Sequence, residues 1–93
     1  MTPVDLEALA RRAVDRYGAA HQIDKAVEEL AELIAALMQH RAGRHGMDPV
    51  REEIADVTIM LLQLRDIFGP ADVEGWICLK MDRLAARLDG GNP

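Results

Sequence analysis

Lys25 to Leu62 reads KAVEELAELIAALMQHRAGRHGMDPVREEIADVTIMLL, and it contains two short acidic motifs set in apolar helical patterns. The first is Glu28-Glu29-Leu30-Ala31-Glu32 and the second is Glu52-Glu53-Ile54-Ala55-Asp56. In each, two carboxylates stand three residues apart, Glu29 with Glu32 and Glu53 with Asp56. On a helix that spacing places both side chains on one face, a turn apart. Two such pairs on packed helices would gather four carboxylates round one point, where they repel and raise one another's pKa values. A hard divalent cation relieves that repulsion, and carboxylate oxygens are ligands that Mg²⁺ prefers. The pattern therefore predicts an Mg²⁺ site between two helices, one suited to handling phosphate.

The helical assignment follows from the periodicity on either side. Ile23, Val27, Leu30, Ile34, Leu37 and Met38 recur at intervals of three and four, and predict a helix from about residue 20 to 41. With Ala26 and Leu33 they fill one broad face, expected to be the buried one. Gln22, Lys25, Glu29, Glu32 and Ala36 form a stripe along its edge. The glycine-containing segment Ala42 to Met47 is a loop. Asp48-Pro49 restarts a helix, with Asp48 as N-cap and Pro49 at the first position. That helix runs to about Phe68, with Val50, Ile54, Val57, Leu61, Leu64 and Phe68 as its main apolar face. Glu53 falls inside that arc and Asp56 at its edge. Carboxylates are rarely buried unless paired or bound to metal, so these two positions carry the strongest functional signal. Ile59 and Leu62 point the other way, which predicts a second covered side, supplied by another subunit.

Outside this stretch, Thr2-Pro3 opens an N-terminal helix that Gly18 stops. Gly69-Pro70 separates the third helix from a fourth, expected to be capped by Asp72 and to run to about Leu88 with Lys80, Arg83 and Arg87 in one basic stripe. Residues 89–93 read as a flexible tail. The organisation is one all-α domain over residues 1–93: an N-terminal helix over 1–18 and core helices over 20–88. The fold expected is an antiparallel bundle of about four helices whose core is completed by homo-oligomerisation.

Composition narrows the function classes. The chain has 93 residues, three aromatics and a net charge of −5, so its core is aliphatic and a broad electrostatic grip on nucleic acid is not expected. Cys78 is the only cysteine, which removes an internal disulfide and any Cys/His zinc spacing; it reads as a small buried hydrophobe. There is no run of about 18 apolar residues and no signal-peptide pattern, so no membrane partner and a cytoplasmic location are expected. Trp76 reads as core or interface, and Met38, Met60 and Met81 as core fillers. A di-iron bundle would need Glu-x-x-His pairs, and no histidine here lies three after a glutamate. A non-catalytic helical association module remains an alternative, distinguished by gaining no stability from Mg²⁺ or Mn²⁺.

The wording Gln22-Ile23-Asp24-Lys25-Ala26-Val27-Glu28-Glu29-Leu30-Ala31-Glu32-Leu33, followed by Glu52-Glu53-Ile54-Ala55-Asp56-Val57-x-Ile59-Met60-Leu61, resembles the signature of the MazG-like all-α nucleoside triphosphate pyrophosphohydrolases, most of all their short single-domain members. The resemblance covers about Gln22 to Leu88. It implies a dimer or a tetramer of four-helix units, and Mg²⁺-dependent hydrolysis of a nucleoside triphosphate, NTP or dNTP, to monophosphate and pyrophosphate, with Mn²⁺ as a substitute ion. Carried over by position, Glu29, Glu32, Glu53 and Asp56 are the metal ligands, and Lys80 matches a phosphate-binding lysine on the following helix. Some relatives carry an asparagine one turn after that lysine. Here the position is Leu84, and Arg83 is the candidate replacement. Gln22 and Lys25 complete the candidates for substrate contact. Glu32 and Glu53 are the two candidates for the base that takes a proton from the attacking water. Within the superfamily, phosphoribosyl-ATP pyrophosphohydrolase shares the Lys-x-x-Glu-Glu-x-x-Glu arrangement of Lys25 to Glu32 and is the alternative substrate reading.

Overall fold

A computed structural model describes residues 2–90, and among them four α-helices and no strand. The helices are α1 (Pro3–Tyr17), α2 (Ala19–Arg41), α3 (Asp48–Phe68) and α4 (Pro70–Leu88). The proposed tail residues 91–93 lie outside the described residues.

Each boundary has a local cause. Thr2 caps α1 in a capping box: its hydroxyl accepts from the Asp5 backbone N–H (3.2 Å), and its own backbone N–H donates to the Asp5 carboxylate (3.1 Å). The Thr2 hydroxyl also donates to the Asp5 carboxylate (2.6 Å), and that bond, with the one from the Thr2 backbone N–H, holds the Asp5 carboxyl below its usual range. Gly18 breaks α1 from α2 with φ of 90°, a conformation that only glycine adopts readily. Two expected caps are shifted. Asp48 is the first residue of α3, with Met47 in the capping position, and its carboxylate pairs with Arg51 a turn later (3.2 Å). α4 starts two residues before Asp72, at Pro70, because Gly69 turns the chain with φ of 100° and proline suits the first helical position. Asp72 sits instead in the first turn, where its charge complements the helix dipole.

α2 and α3 pack as an antiparallel pair and form the centre of the chain; α1 lies mainly against α3, and α4 packs against α3 alone. The buried and half-buried positions of α2 are Ile23 and Gln39 together with a run of Gln22, Ala26, Glu29, Leu33 and Ala36. The run's spacing of four, three, four and three is the narrow seam of a coiled-coil pair. The facing side of α3 supplies Glu53, Asp56, Val57, Met60 and Gln63. The broad apolar face of α2 is therefore not the buried one: Val27, Leu30, Ile34, Leu37 and Met38 are exposed, Ile34 to 64 %. Ala26 and Ala36 explain the choice, since small side chains let two helices approach closely.

α3 is divided, and α4 repeats the reversal. On the expected face of α3, Val57 is buried and Val50 and Leu64 are half-buried, but Ile54, Leu61 and Phe68 are exposed. On the second side of α3, Ile59 and Leu62 line a small cavity with Leu6, Leu9, Ala10 and Ala13, so α1 partly covers the side expected to meet another subunit. No residue of α4 is buried; Cys78, Trp76 and Met81 are all exposed, contrary to the core positions expected of them. Met38 is exposed too, and of the three methionines read as core fillers only Met60 is buried. An Arg65–Glu74 ion pair of 2.9 Å ties α4 to α3, and such exposed pairs contribute only about 0–1 kcal/mol.

The shape reflects this. The radius of gyration is 16.0 Å, against about 12 Å for a compact chain of this length. The accessible surface is 7163 Å², whereas a compact monomer of this mass would expose about 5,400 Å².

Candidate functional site

The α2–α3 seam brings together three of the four predicted carboxylates. Glu29, Glu53 and Asp56 each offer an oxygen, and these atoms all lie within 4.8 Å of one another. The pairing follows from antiparallel packing: two turns along the seam from Gln22 and Gln63, Glu29 of α2 faces Asp56 of α3. Glu29 is well enclosed, with its side chain 12 % exposed. Its Oε1 is held by Lys25 Nζ at 3.3 Å. Its Oε2 is buried with no hydrogen-bond partner, and so is Glu53 Oε2. Buried carboxylate oxygens are among the most costly groups to leave unpartnered. Two of them, with Asp56 beside them, form a cluster that could hold a cation.

The electrostatics agree. Desolvation raises the Glu53 carboxyl above its ordinary value, and the charges of Glu32, Asp56, Glu29 and Glu52 add to that shift. Lys25 is shifted up by its hydrogen bond and charge attraction to Glu29, with further attraction from Glu28 and Glu32. It lies 3.9 Å from Glu28, so it sits over the helix surface as a local counter-charge at the mouth of the cluster.

Other predicted residues fall elsewhere. Glu32 is exposed and outside the close trio, although its charge is felt at Glu53. Gln22 is not at an open surface. It is 5 % exposed, and its amide Nε2 donates to Gln63 Oε1 at 2.6 Å. Lys80 and Arg83 are exposed on α4, which makes no contact with α2, and among the described residues neither has a hydrogen bond or ion pair. Within one chain, among the described residues, the basic stripe makes no ion pair with the carboxylates.

The seam also holds Gln63, which the sequence reading passed over. Gln63 is 5 % exposed and closes a chain of contacts. His21 Nδ1 donates to Gln22 Oε1 (2.7 Å), Gln22 to Gln63, and Gln63 Nε2 to Met60 Sδ (3.7 Å). His21 stacks on Tyr17, with ring centroids 5.9 Å apart. A seven-residue step from Asp56 along α3 would have pointed to Gln63, as the same step back from Glu29 points to Gln22.

Between α3 and α4 lies an apolar groove of about 400 Å³, lined by Leu61, Leu64, Phe68, Val73 and Ile77 among others. No helix is long and apolar enough to cross a membrane, among the described residues. Compared with known protein families, with curated proteins and with solved structures, the chain matches none.

Proposed function

We propose that this protein is a divalent-cation-dependent pyrophosphohydrolase that converts a nucleoside triphosphate to its monophosphate and pyrophosphate, acting as a homo-oligomer in the cytoplasm. The observation that carries the proposal is the pair of buried, unpartnered oxygens on Glu29 and Glu53, beside Asp56 in one cross-helix cluster. The donor set is all carboxylate oxygen, which suits Mg²⁺, with Mn²⁺ as a substitute. Glu29, Glu53 and Asp56 hold the cation. When bound, it supplies charge neutralisation and polarisation at the phosphate.

The remaining roles fall to side chains of the chain. Glu32, exposed and with its charge felt at Glu53, takes the proton from the attacking water. Glu53 is the other candidate base, but its enclosed oxygen suits a ligand better. Lys25 orients Glu29 and offers a positive charge to the entering polyphosphate. Lys80 and Arg83 bind phosphate, and because α4 stands away from α2 they do so at the site of a second copy.

The exposed apolar surface supports that assembly. The surface in excess of a compact monomer is roughly 1,800 Å² per chain. A stable interface of standard size buries about 800 Å² per partner. The outer face of α2 and the α3–α4 groove are the surfaces that a dimer or tetramer would cover.

The test is release of pyrophosphate and monophosphate from a panel of ordinary and modified NTPs and dNTPs, with Mg²⁺ and with a chelator. Pyrophosphate release that needs the metal is the expected result, and the ranking across the panel names the substrate. No release from any substrate at high enzyme concentration overturns the proposal.

A further inference from the structure

We infer that Gln22 and Gln63 are positioning residues that set the register of α2 against α3 and thereby align the carboxylates of the proposed metal site, an assignment that rests on that reading of the site. Gln22 and Glu29 are seven residues apart on α2, and Asp56 and Gln63 are seven apart on α3. In the antiparallel pair Gln22 faces Gln63 at one end of this interval, while Glu29 faces Asp56 at the other. The amide pair is therefore the same seam position as the carboxylate pair, two helical turns away.

The rest of the seam is poorly suited to fixing this alignment. Ala26, Leu33 and Ala36 on α2 and Val57, Met60 and Leu64 on α3 are apolar, and non-directional packing tolerates a slip of one turn. The carboxylates themselves favour a slip, because like charges brought together destabilise the aligned state. A buried amide pair acts in the other direction. With Gln22 and Gln63 each 5 % exposed, sliding one helix past the other would leave two amides without partners in an apolar seam. A single buried polar layer of this kind specifies register in coiled coils. His21 extends the lock to the surface by donating to Gln22 Oε1, which leaves the Gln22 Nε2 hydrogens for Gln63.

The experiment compares Gln63→Leu and the double variant Gln22→Leu/Gln63→Leu with the unaltered protein. It reads thermal stability, cross-helix NOEs between residues around Glu29 and around Asp56, and affinity for Mn²⁺. Gln63→Leu leaves Gln22 unpartnered and lowers the melting temperature. The double variant, with both amides replaced by apolar groups of similar size, recovers that stability. Its NOEs nevertheless move to partners a turn away or split between two registers, and its Mn²⁺ affinity stays down about tenfold or more. A double variant with the original NOEs and the original Mn²⁺ affinity overturns the assignment. So does a double variant that unfolds, because the pair then acts on stability and not on register. If the unaltered protein binds no Mn²⁺, the metal reading fails, while the NOEs alone decide whether the amide pair sets the register.

Discussion

The two sides of α2 hold what each other would be expected to hold. Its inner seam carries Gln22 and Glu29 against Glu53 and Gln63, while its outer face leaves Val27, Ile34 and Met38 in solvent. α4 repeats the outer pattern, with Trp76, Met81 and Leu88 exposed and no buried residue at all. A helix that turns its bulkiest apolar face outward has not finished burying its core. In the proposed function the polar seam holds the site within one chain, and the exposed apolar faces are the surfaces a second copy would cover.

The largest expected effect comes from charging the outer face. Ile34→Glu should dissociate the oligomer, with the dissociation constant raised about a hundredfold or more, since about 1.5–3 kcal/mol of side-chain burial is lost per copy and a charge is added. Light scattering at micromolar concentration measures this. An unaltered assembly in that variant would break the comparison, and so would an unaltered protein that is only monomeric.

Next is Glu53→Gln, which keeps the side chain's shape and removes its charge. Turnover should fall by about 100-fold or more. The metal-free fold should at the same time become more stable at neutral pH, because a crowded, desolvated charge is removed. Activity assays and metal-free melting together check this. Loss of stability along with activity would make Glu53 a structural residue.

The same residue sets a pH dependence. Its native carboxyl is raised above the ordinary value of 4.5, so the folded state binds this proton more tightly than the unfolded chain does. The contribution to stability is fully present below about pH 4.5 and is lost as the pH rises through the native pKa. Metal-free melting curves should therefore show a decline over that rise, and Glu53→Gln should flatten it.

A composite site sharpens the comparison further. Glu53→Gln and Lys80→Ala should each be inactive as homo-oligomers. Mixed and reassembled in equal amounts as dimers with two-fold symmetry, they should recover about a quarter of the sites, since only one site in each hybrid is intact. No recovery on mixing would return Lys80 to a solvent-exposed helix face. The smallest effect is at α1, away from both faces. Thr2→Ala should cost about 1 kcal/mol through loss of the cap and leave turnover unchanged.

Much of this was legible in the sequence. The four helices, their stops at Gly18 and Gly69, and the meeting of Glu29 with Glu53 and Asp56 follow from spacing and punctuation. The choice of buried face did not. Counting apolar residues over a 3.6-residue turn selects the widest arc, and on α2 that arc is made of valine, leucine and isoleucine. The fold follows the narrower 3.5-residue seam instead, because Ala26 and Ala36 permit close approach and Gln22 finds its partner Gln63 only there. A large apolar residue carries no mark of whether its partner is the same chain or another copy. That Lys80 is exposed and makes no ion pair with the cluster was equally hidden, since it depends on how α4 leaves α3 after Gly69 and not on the residues of α4.

The most direct measurement is the melting temperature of the protein and of Glu53→Gln as Mg²⁺ or Mn²⁺ is added. A site formed by Glu29, Glu53 and Asp56 predicts a rise for the unaltered protein of about 10 °C or more at a hundredfold excess over the dissociation constant, and little change for Glu53→Gln. A melting temperature that ignores both ions, or that rises equally in the variant, would contradict the account: those buried oxygens would then not be waiting for a cation.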